Sequence, residues 1–166
     1  MSEFIGIDLG TTNTVVATDA RVLPMRTSDG AARSVPSVIA FPPTGGVLVG
    51  VGARRRRAMD PHNTLASTKR LIGRLATSVV VGDFGRRYPQ ILEALPDGTI
   101  GFRTRAGAVS SVDAASLILK AAFQASQIDA EIASAVITVP AAFQHPQREA
   151  TRKAGRLAGL ADVRLL

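Results

Sequence analysis

Residues 4–19 read FIGIDLGTTNTVVATD. Two strand-like runs, at 3–9 and 14–19, are separated by a small polar segment that begins at Gly10. The first run alternates apolar residues with others and the second is rich in valine and threonine, as is typical of β-strands. A tight turn needs neither several hydroxyls nor a carboxylate. The stretch therefore predicts a strand pair whose connecting loop also has a chemical role.

The residues of this loop have the chemistry of a phosphate and magnesium site. Asp8 ends the first strand, where α/β sheets commonly meet their ligands, and its carboxylate suits a hard cation such as Mg²⁺. Gly10 allows close approach of the backbone, and the N–H groups that follow it can form an anion-binding concavity. Thr11 and Thr12 add hydroxyl donors, and Asn13 can hold the turn. The loop lacks the Gly-Lys-Ser/Thr ending of a P-loop, and on these residues alone a polar hairpin turn fits equally well.

The composition of the chain predicts one folded, cytoplasmic domain. It has 166 residues, of which 46% are hydrophobic, and this is enough for a single core. It has no cysteine, which excludes disulfides and thiolate metal sites and is typical of a reducing compartment. The N-terminal residues do not form a signal peptide pattern, and no apolar run is long enough to cross a bilayer. We therefore expect no membrane partner.

The net charge of +7 is unevenly distributed. Residues 39–111 contain 11 Lys and Arg but 4 Asp and Glu, whereas the rest of the chain contains 9 of each. This asymmetry predicts an inserted basic subdomain at 39–111 and a core subdomain formed by 1–38 and 112–166. The densest part is Arg54–Arg57. A run of four arginines is compatible with nucleic acid or an acidic partner, but we interpret it as a solvated helix face and predict no nucleic-acid binding.

The first half of the chain reads mainly as short strands. A third strand at 21–26, closed by the turn signal Ser28-Asp29-Gly30, completes a predicted three-stranded meander. Strands at 37–41 and 47–51 flank PPTGG, which is typical of a hairpin. Residues 53–73 are predicted as a helix in two pieces, divided at Asp60-Pro61. The segment 76–98 gives no clear pattern. Residues 99–105 are predicted as a strand.

The second half shows a regular helix–strand–helix–strand pattern. From Val112 to Ile128, apolar residues recur at steps of three and four, and Ser110 or Ser111 is the expected N-cap. SAVITVP follows as a buried strand that ends at Pro140. A second helix has a proline in its first turn and ends at Gly159, and DVRLL begins another strand. This order implies parallel pairing with right-handed crossovers, and the fold class is an α/β mixed sheet. The chain appears cut after its last strand, so we expect a fragment.

Three blocks of the sequence together resemble one known family. IGIDLGTTNTVVA, PHNTLASTKRLIGR (61–74) and AVITVPAAFQHPQREATRKAGRLAGL (135–160) occur in the order found in the DnaK-type, seventy-kilodalton heat-shock chaperones. The resemblance covers nearly the whole chain and is weakest at 76–111. It implies lobe I of the nucleotide-binding domain, with an actin-like ATPase (ribonuclease-H-like) fold. The core subdomain would be IA-like and the inserted α+β subdomain IB-like.

The resemblance also implies roles for residues and cofactors. ATP or ADP with Mg²⁺ is the implied ligand, and Asp8 matches the acid that orients magnesium-bound water. Lys69 matches the lysine that positions the attacking water and stabilises charge on the γ-phosphate, with Arg70 as its neighbouring electrostatic support. The catalytic set is therefore Lys69, Asp8 and Thr11. The residues that wrap the phosphates are Gly10, Thr11, Thr12 and Asn13.

Other implied roles concern communication and partners. Pro140 and Arg148 match a pair that relays the nucleotide state to a peptide-binding domain, and Arg164 matches an arginine that docks J-domain co-chaperones. A nucleotide exchange factor is also implied, and unfolded client peptides would bind only through domains absent from this chain. The sequence departs from the family at Ala142, where a tyrosine is usual, and at Gln144-His145-Pro146, where Asn-Asp-Ala is common. These departures predict an atypical relay or nucleotide exchange.

Several alternatives remain open at this level. As a lobe I fragment, the chain is expected to hydrolyse ATP inefficiently and to expose an apolar inter-lobe face that favours self-association. A non-catalytic half-chaperone that binds a co-chaperone or exchange factor is one competitor, and another sugar-kinase/actin superfamily ATPase is a second. A nuclease is disfavoured because only Asp8 is suitably placed to bind metal. The two histidines, His62 and His145, lack partners for a metal site.

Overall fold

A five-stranded mixed sheet forms the centre of the molecule in this computed structural model, which describes residues 4–18, 21–27, 29–128 and 134–166. Elements are numbered in chain order. The strand order is β13-β12-β1-β2-β5. These strands are β1 (Phe4–Leu9), β2 (Asn13–Ala17), β5 (Val35–Pro36), β12 (Ser134–Thr138) and β13 (Asp162–Leu165).

Strand β1 lies between a parallel and an antiparallel neighbour. It pairs in parallel with β12, which pairs in parallel with β13, and it pairs antiparallel with β2. Its side chains alternate, so that Ile5, Ile7 and Leu9 are buried whereas Gly6 and Asp8 are exposed. The first strand pair and the parallel pairing predicted from the sequence are therefore confirmed. Asp8 lies on the open face of the sheet at the carboxyl end of β1.

The predicted third strand at 21–26 is confirmed only at its start, where Thr18 N donates to Arg21 O and Leu23 N donates to Val16 O. Residues 21–23 follow β2 only briefly, through a bridge between Ala17 and Val22, and then reach Pro24, which has no N–H to continue the ladder. The chain instead forms a separate hairpin of β3 (Met25–Thr27) and β4 (Gly30–Ala32). Strand β5 pairs with the start of β2, at Asn13 and Thr14. Ser28 of the turn signal lies outside the described residues.

A second, three-stranded sheet follows in the order β7-β6-β8. The predicted hairpin is confirmed by the antiparallel pairing of β6 (Val38–Ala40) with β7 (Leu48–Val49). Helix α1 (Val51–Arg56) begins the predicted helical region, but its second piece is wrong: it contains β8 (Thr64–Ala66) between two short 3-10 helices, Pro61–Asn63 and Thr68–Leu71. All three residues of β8 are buried and pair with β6, so tertiary pairing overrides local helix preference there.

The segment that the sequence left uninterpreted contains a helix and a strand. Helix α2 (Val79–Arg87) has two glycines and three valines, which lowers its intrinsic helix preference, and it is held by burial of Val81 and Phe84. Strand β9 (Ile91–Ala94) follows, and the predicted strand at 99–105 is confirmed as β10 (Ile100–Thr104). With β11 (Gly107–Ser110) they form an antiparallel sheet in the order β11-β10-β9.

The two long helices are those that the apolar repeat predicted. Helix α3 (Ser111–Ser126) is capped by the Ser110 side chain, which accepts a hydrogen bond from Asp113 N. Helix α4 (His145–Leu157) begins with a capping box formed by Gln144 and Gln147, and Gly159 after it adopts φ +100°. The helices pack on each other, α3 also on β2 and α4 also on β13. No helix in the described part of the chain is long and apolar enough to cross a membrane.

Gly73, in the segment after the second 3-10 helix, packs closely against the start of α4. Gly73 has φ +64°, and a Cβ added there would lie 2.7 Å from the Pro146 carbonyl oxygen and 2.8 Å from Gln147 Cα. Both neighbouring atoms belong to backbone, which cannot move aside as a flexible side chain can. Only glycine therefore fits this contact.

We expect Gly73→Ala to lower the free energy of unfolding by about 2–4 kcal/mol, because it adds left-handed backbone strain to an enforced separation from α4. Gly98→Ala is the matched control, since Gly98 has φ +80° but no atom within 4 Å of an added Cβ, and its cost should be about 1–2 kcal/mol. Urea unfolding of the three proteins measures both values. Equal losses in the two variants would show that the contact with α4 contributes nothing.

Candidate functional site

The loop between β1 and β2 is a tight turn that requires glycine. Gly10 N donates a hydrogen bond to Asp8 O at 3.0 Å, and a Cβ added to Gly10 would lie 2.1 Å from Asn13 O. No side chain fits this space. Thr12 and Asn13 are exposed, and Gly10 and Thr11 are half-buried.

Ser37 fixes the backbone of this loop through hydrogen bonds. Its Oγ donates to Gly10 O at 2.8 Å, its N donates to Thr12 O at 2.8 Å, and its Oγ lies 3.0 Å from Thr14 Oγ1. Ser37 and Thr14 are buried, so these bonds are shielded from competing water. Sequence reasoning did not select Ser37, because nothing near it in the chain indicates that it meets a loop formed by much earlier residues.

Asp8 is oriented by the neighbouring strand. Thr138 is its register partner on β12, and Thr138 Oγ1 donates to Asp8 Oδ1 at 3.0 Å. The carboxylate is otherwise exposed on the open face of the sheet. It is therefore held in one orientation and can still accept further donors or face a hydrated cation. Thr138 was also missed by sequence reasoning.

Lys69 enters the same region from a different part of the chain. It lies in the 3-10 helix Thr68–Leu71, directly after Ser67, whose φ of +59° turns the backbone sharply. Lys69 is half-buried, and its Nζ lies 5.8 Å from the centroid of the Phe143 ring, within the range of a cation–π contact. Burial lowers the pKa of Lys69 below the usual lysine value, and the nearby carboxylate of Asp8 acts in the opposite direction.

This geometry fits a phosphate chain with a hydrated magnesium ion. The glycine turn is too tight for any side chain, and the lysine and aspartate belong to one electrostatic environment. Among the residues that the structure describes, no three His, Cys, Asp or Glu side chains cluster as metal ligands. A magnesium ion beside Asp8 would therefore be held mainly by water and phosphate oxygens, as is usual for this ion.

The two predicted relay residues contact the backbone of Phe143, whose ring lies near Lys69. Pro140 is exposed after β12, and its carbonyl oxygen accepts from Phe143 N at 2.9 Å. Arg148, half-buried in α4, donates from Nε to Phe143 O at 3.2 Å. Phe143 therefore contacts Lys69 through its ring and both relay residues through its backbone. Sequence reasoning quoted this phenylalanine within a motif but assigned it no role.

The remaining predicted residues lie at other places. Arg164 is exposed on the edge strand β13, opposite Val136, and its Nε lies 3.2 Å from Asp162 Oδ2. Arg70 is exposed in a pocket of about 230 Å³ that also contains Arg87 and Tyr88. His145 begins α4, whose first turn contains no acidic residue.

The arginine run forms the exposed side of α1. Arg54, Arg55 and Arg57 are exposed, and Arg55 forms an ion pair of 2.7 Å with Asp29.

Comparisons with known proteins agree with the sequence motifs. A family model described as "Hsp70 protein" matches residues 4–166. The chaperone protein HscA homolog of Chromobacterium violaceum is 42% identical over 169 residues, which cover 98% of this chain and 26% of that protein. Chaperone protein dnaK3 of Synechococcus elongatus is 41% identical over 172 residues, which cover 100% of this chain and 23% of that protein. The chain spans about a quarter of the length of these curated relatives.

The interaction between Asp8 and Lys69 can be tested by replacing the carboxylate. We expect Asp8→Asn to lower the pKa of Lys69 further, because it removes the charge that favours the ammonium while leaving the burial that disfavours it. Titration of the lysine ¹³Cε signals by NMR measures this change. The chain has only three lysines, and the exposed Lys120 on α3 is an internal reference whose curve should not differ between the two proteins. An unchanged Lys69 titration would exclude the proposed proximity.

Proposed function

Because the chain belongs to the Hsp70 family, we propose that it forms lobe I of the ATP-binding domain of a DnaK-type molecular chaperone. The family match and the mixed sheet together confirm the actin-like ATPase fold class predicted from the sequence. The observation that most strongly supports a role in ATP chemistry is the convergence of the glycine turn, Asp8 and Lys69 at one end of the central sheet.

In this proposal the loop binds the phosphate groups of ATP or ADP. The backbone N–H groups of residues 11–13 supply neutral donors, and the hydroxyls of Thr11 and Thr12 supply two more. Ser37 holds the backbone of the loop in place through the carbonyl of Gly10, so that little conformational freedom remains to be lost on binding. Gly10 is required because the turn leaves no room for a Cβ.

Asp8 would hold a magnesium ion through its water ligands. The ion, when bound, neutralises phosphate charge and orients the nucleotide. Thr138 occupies one oxygen of Asp8, and the rest of the carboxylate is free to accept hydrogen bonds from water in the ion's shell. This role requires that Asp8 stay exposed on the open face of β1, as it is.

Lys69 would stabilise negative charge on the γ-phosphate and hold the attacking water. Its partial burial makes this charge more effective than it would be at an open surface, because less solvent screens it. Two groups keep it charged and directed despite burial, namely the carboxylate of Asp8 and the ring of Phe143. In this scheme Lys69 and Asp8, together with Thr11 in the loop, are the catalytic residues.

The chain alone supplies one side of the site. The loop and Asp8 are open to solvent, and water weakens electrostatic stabilisation of a transition state. We therefore propose that efficient hydrolysis needs the other lobe found in complete members of the family. The match to the Hsp70 family argues against the sugar-kinase alternative.

Partners are proposed from the same resemblance. The contacts of Phe143 support a relay from Lys69 to Pro140 and Arg148, and the exposure of Arg164 is compatible with docking of a J-domain co-chaperone. A nucleotide exchange factor, client peptides bound by further domains, and a cytoplasmic location stay predictions. The division into subdomains 1–38 with 112–166 and 39–111 also stays a prediction, as does self-association through the inter-lobe face.

Titration of the chain with Mg-ADP tests the binding site. The amide NMR signals of residues 10–13 should shift, with a Kd weaker than about 1 μM because only one lobe contacts the nucleotide. Gly10→Ala should abolish these shifts. The matched control, Gly45→Ala, changes a hairpin glycine at φ +84° with no atom within 4 Å of an added Cβ, and it should leave them unchanged. Shifts confined to other parts of the chain would contradict the assignment of the loop.

A chimera tests catalysis. In it, this chain replaces the matching quarter of the Chromobacterium violaceum HscA homolog. We expect Lys69→Ala to reduce ATP turnover about 10²–10³-fold, because the charge acts on the transition state, while ATP affinity changes little. Lys120→Ala is the matched control and should retain full turnover. Normal turnover in the Lys69 variant would exclude the proposed role, and a wild-type chimera that binds ATP without hydrolysing it would favour the non-catalytic half-chaperone.

A further inference from the structure

A second polar pocket lies away from Asp8 and Lys69. It is formed where residues 73–78 meet the start of α4, and its volume is about 230 Å³. Five polar residues from the segment 73–78 and from the start of α4 line it, namely Arg74, Thr77, Ser78, Gln144 and Gln147.

Gln147 brings an unpartnered donor to this pocket. Its side chain is buried, with only 3% of the residue exposed. Its Oε1 accepts a hydrogen bond from Gln144 N at 3.1 Å as part of the capping box, and this bond fixes which end of the amide is nitrogen. Its Nε2 is buried and has no hydrogen-bond partner among the described residues. A buried amide nitrogen without an acceptor is energetically costly. A ligand that supplies an acceptor at this point would remove that cost.

Arg74 brings a second such donor. Its Nε is buried without a partner among the described residues, and no ion pair of Arg74 occurs in the described ranges. Its backbone is fixed on both sides, because its N donates to Leu71 O at 3.0 Å and its O accepts from Ile100 N at 3.0 Å. A guanidinium on a fixed backbone, with an Nε–H that has no protein acceptor, is suited to bind two oxygens of one anion.

The N-terminus of α4 adds a positive electrostatic potential that favours an anion. The helix has 13 residues and no acidic side chain in its first turn, so its positive end is not neutralised there. The hydroxyls of Thr77 and Ser78 are further donors in the lining. The lining of this pocket therefore combines one cation, an amide donor and two hydroxyls with no carboxylate.

The surroundings limit the size of a ligand. A wider groove of about 560 Å³ adjoins the pocket through Gly73, Leu75 and Pro146. Its charged lining consists of Asp97, Asp113 and Glu149 together with Lys153 and Arg156. The three carboxylates outnumber the two cations, so this groove does not favour the continuation of a polyanion. The arrangement therefore favours a small anion over a nucleic acid or a long polyphosphate.

We propose that this pocket binds a small oxyanion, a carboxylate or a phosphate, between Arg74 and Gln147. The anion accepts from Arg74 Nε–H and Gln147 Nε2–H, and it satisfies both buried donors at once. Bound there, it links the segment that follows Lys69 to the helix that carries Arg148. This site is separate from the nucleotide loop and does not depend on it.

NMR titration of the chain with inorganic phosphate, and separately with acetate, tests the proposal. The side-chain signals of Arg74 Nε–H and Gln147 Nε2–H₂ should shift and saturate at millimolar concentrations, with chloride at equal ionic strength as the control. The stronger of the two ligands identifies the source of the oxyanion. The same shifts should persist in Gly10→Ala, which separates them from binding at the nucleotide loop. Absence of saturable shifts with both anions would overturn the proposal.

Arg74→Lys is the decisive variant, because it retains the positive charge but removes the planar Nε–H. It should weaken anion binding about tenfold, as expected for loss of one charge-assisted hydrogen bond. Arg57→Lys, an exposed arginine beyond the end of α1, is the matched control and should bind as the wild type does. Gln147→Glu places a carboxylate in the pocket and should abolish binding. Equal affinity in the wild type and Arg74→Lys would refute the site even if Gln147→Glu failed to fold.

Discussion

The parallel pairing of β1 with β12 is the interaction on which the arrangement of the site depends. In this register Ile7 lies opposite Ile137 in the core, and the next pair places Asp8 opposite Thr138 at the open face. Because successive side chains of a strand point to opposite faces, a slip of one residue would bury the aspartate and expose the isoleucine. Burial of apolar side chains therefore fixes the carboxylate at the end of the sheet, directly before the turn at Gly10.

The second charged group depends on a different contact. Lys69 comes from a 3-10 helix that follows a strand of another sheet, and the chain soon afterwards packs Gly73 closely against Pro146 of α4. The segment that carries Lys69 is thus packed against the start of α4, and its ammonium lies near the ring of Phe143, just before that helix. The pKa of Lys69 reflects the balance, since burial lowers it and Asp8 raises it. A lysine on an open surface would show neither effect, and it would be screened by water.

Local patterns predicted most of the sheet and both long helices, because alternation and three-to-four-residue steps are properties of the residues themselves. The strand Thr64–Ala66 was predicted as helix, because three residues are too few to show alternation and its pairing partner decides its conformation. Nothing local distinguishes Lys69 from an ordinary surface lysine, so only the family resemblance selected it. The roles of Ser37, Thr138 and Phe143 could not be predicted, because each consists of contacts with distant parts of the chain.

The contacts of Phe143 connect the site to α4, although Ala142 stands where the family usually has a tyrosine. Ala142, beside it, is exposed and has no side chain beyond Cβ, so the position of the turn must be set by its neighbours. The Phe143 backbone is bonded to Pro140 on one side and to Arg148 on the other, and its ring faces Lys69. A shift of Lys69 on nucleotide binding would therefore act on Phe143, whose backbone is held by hydrogen bonds to Pro140 and Arg148. In the proposed relay, coupling between the site and Arg148 would run through these contacts of Phe143 and would not need a tyrosine at the neighbouring position.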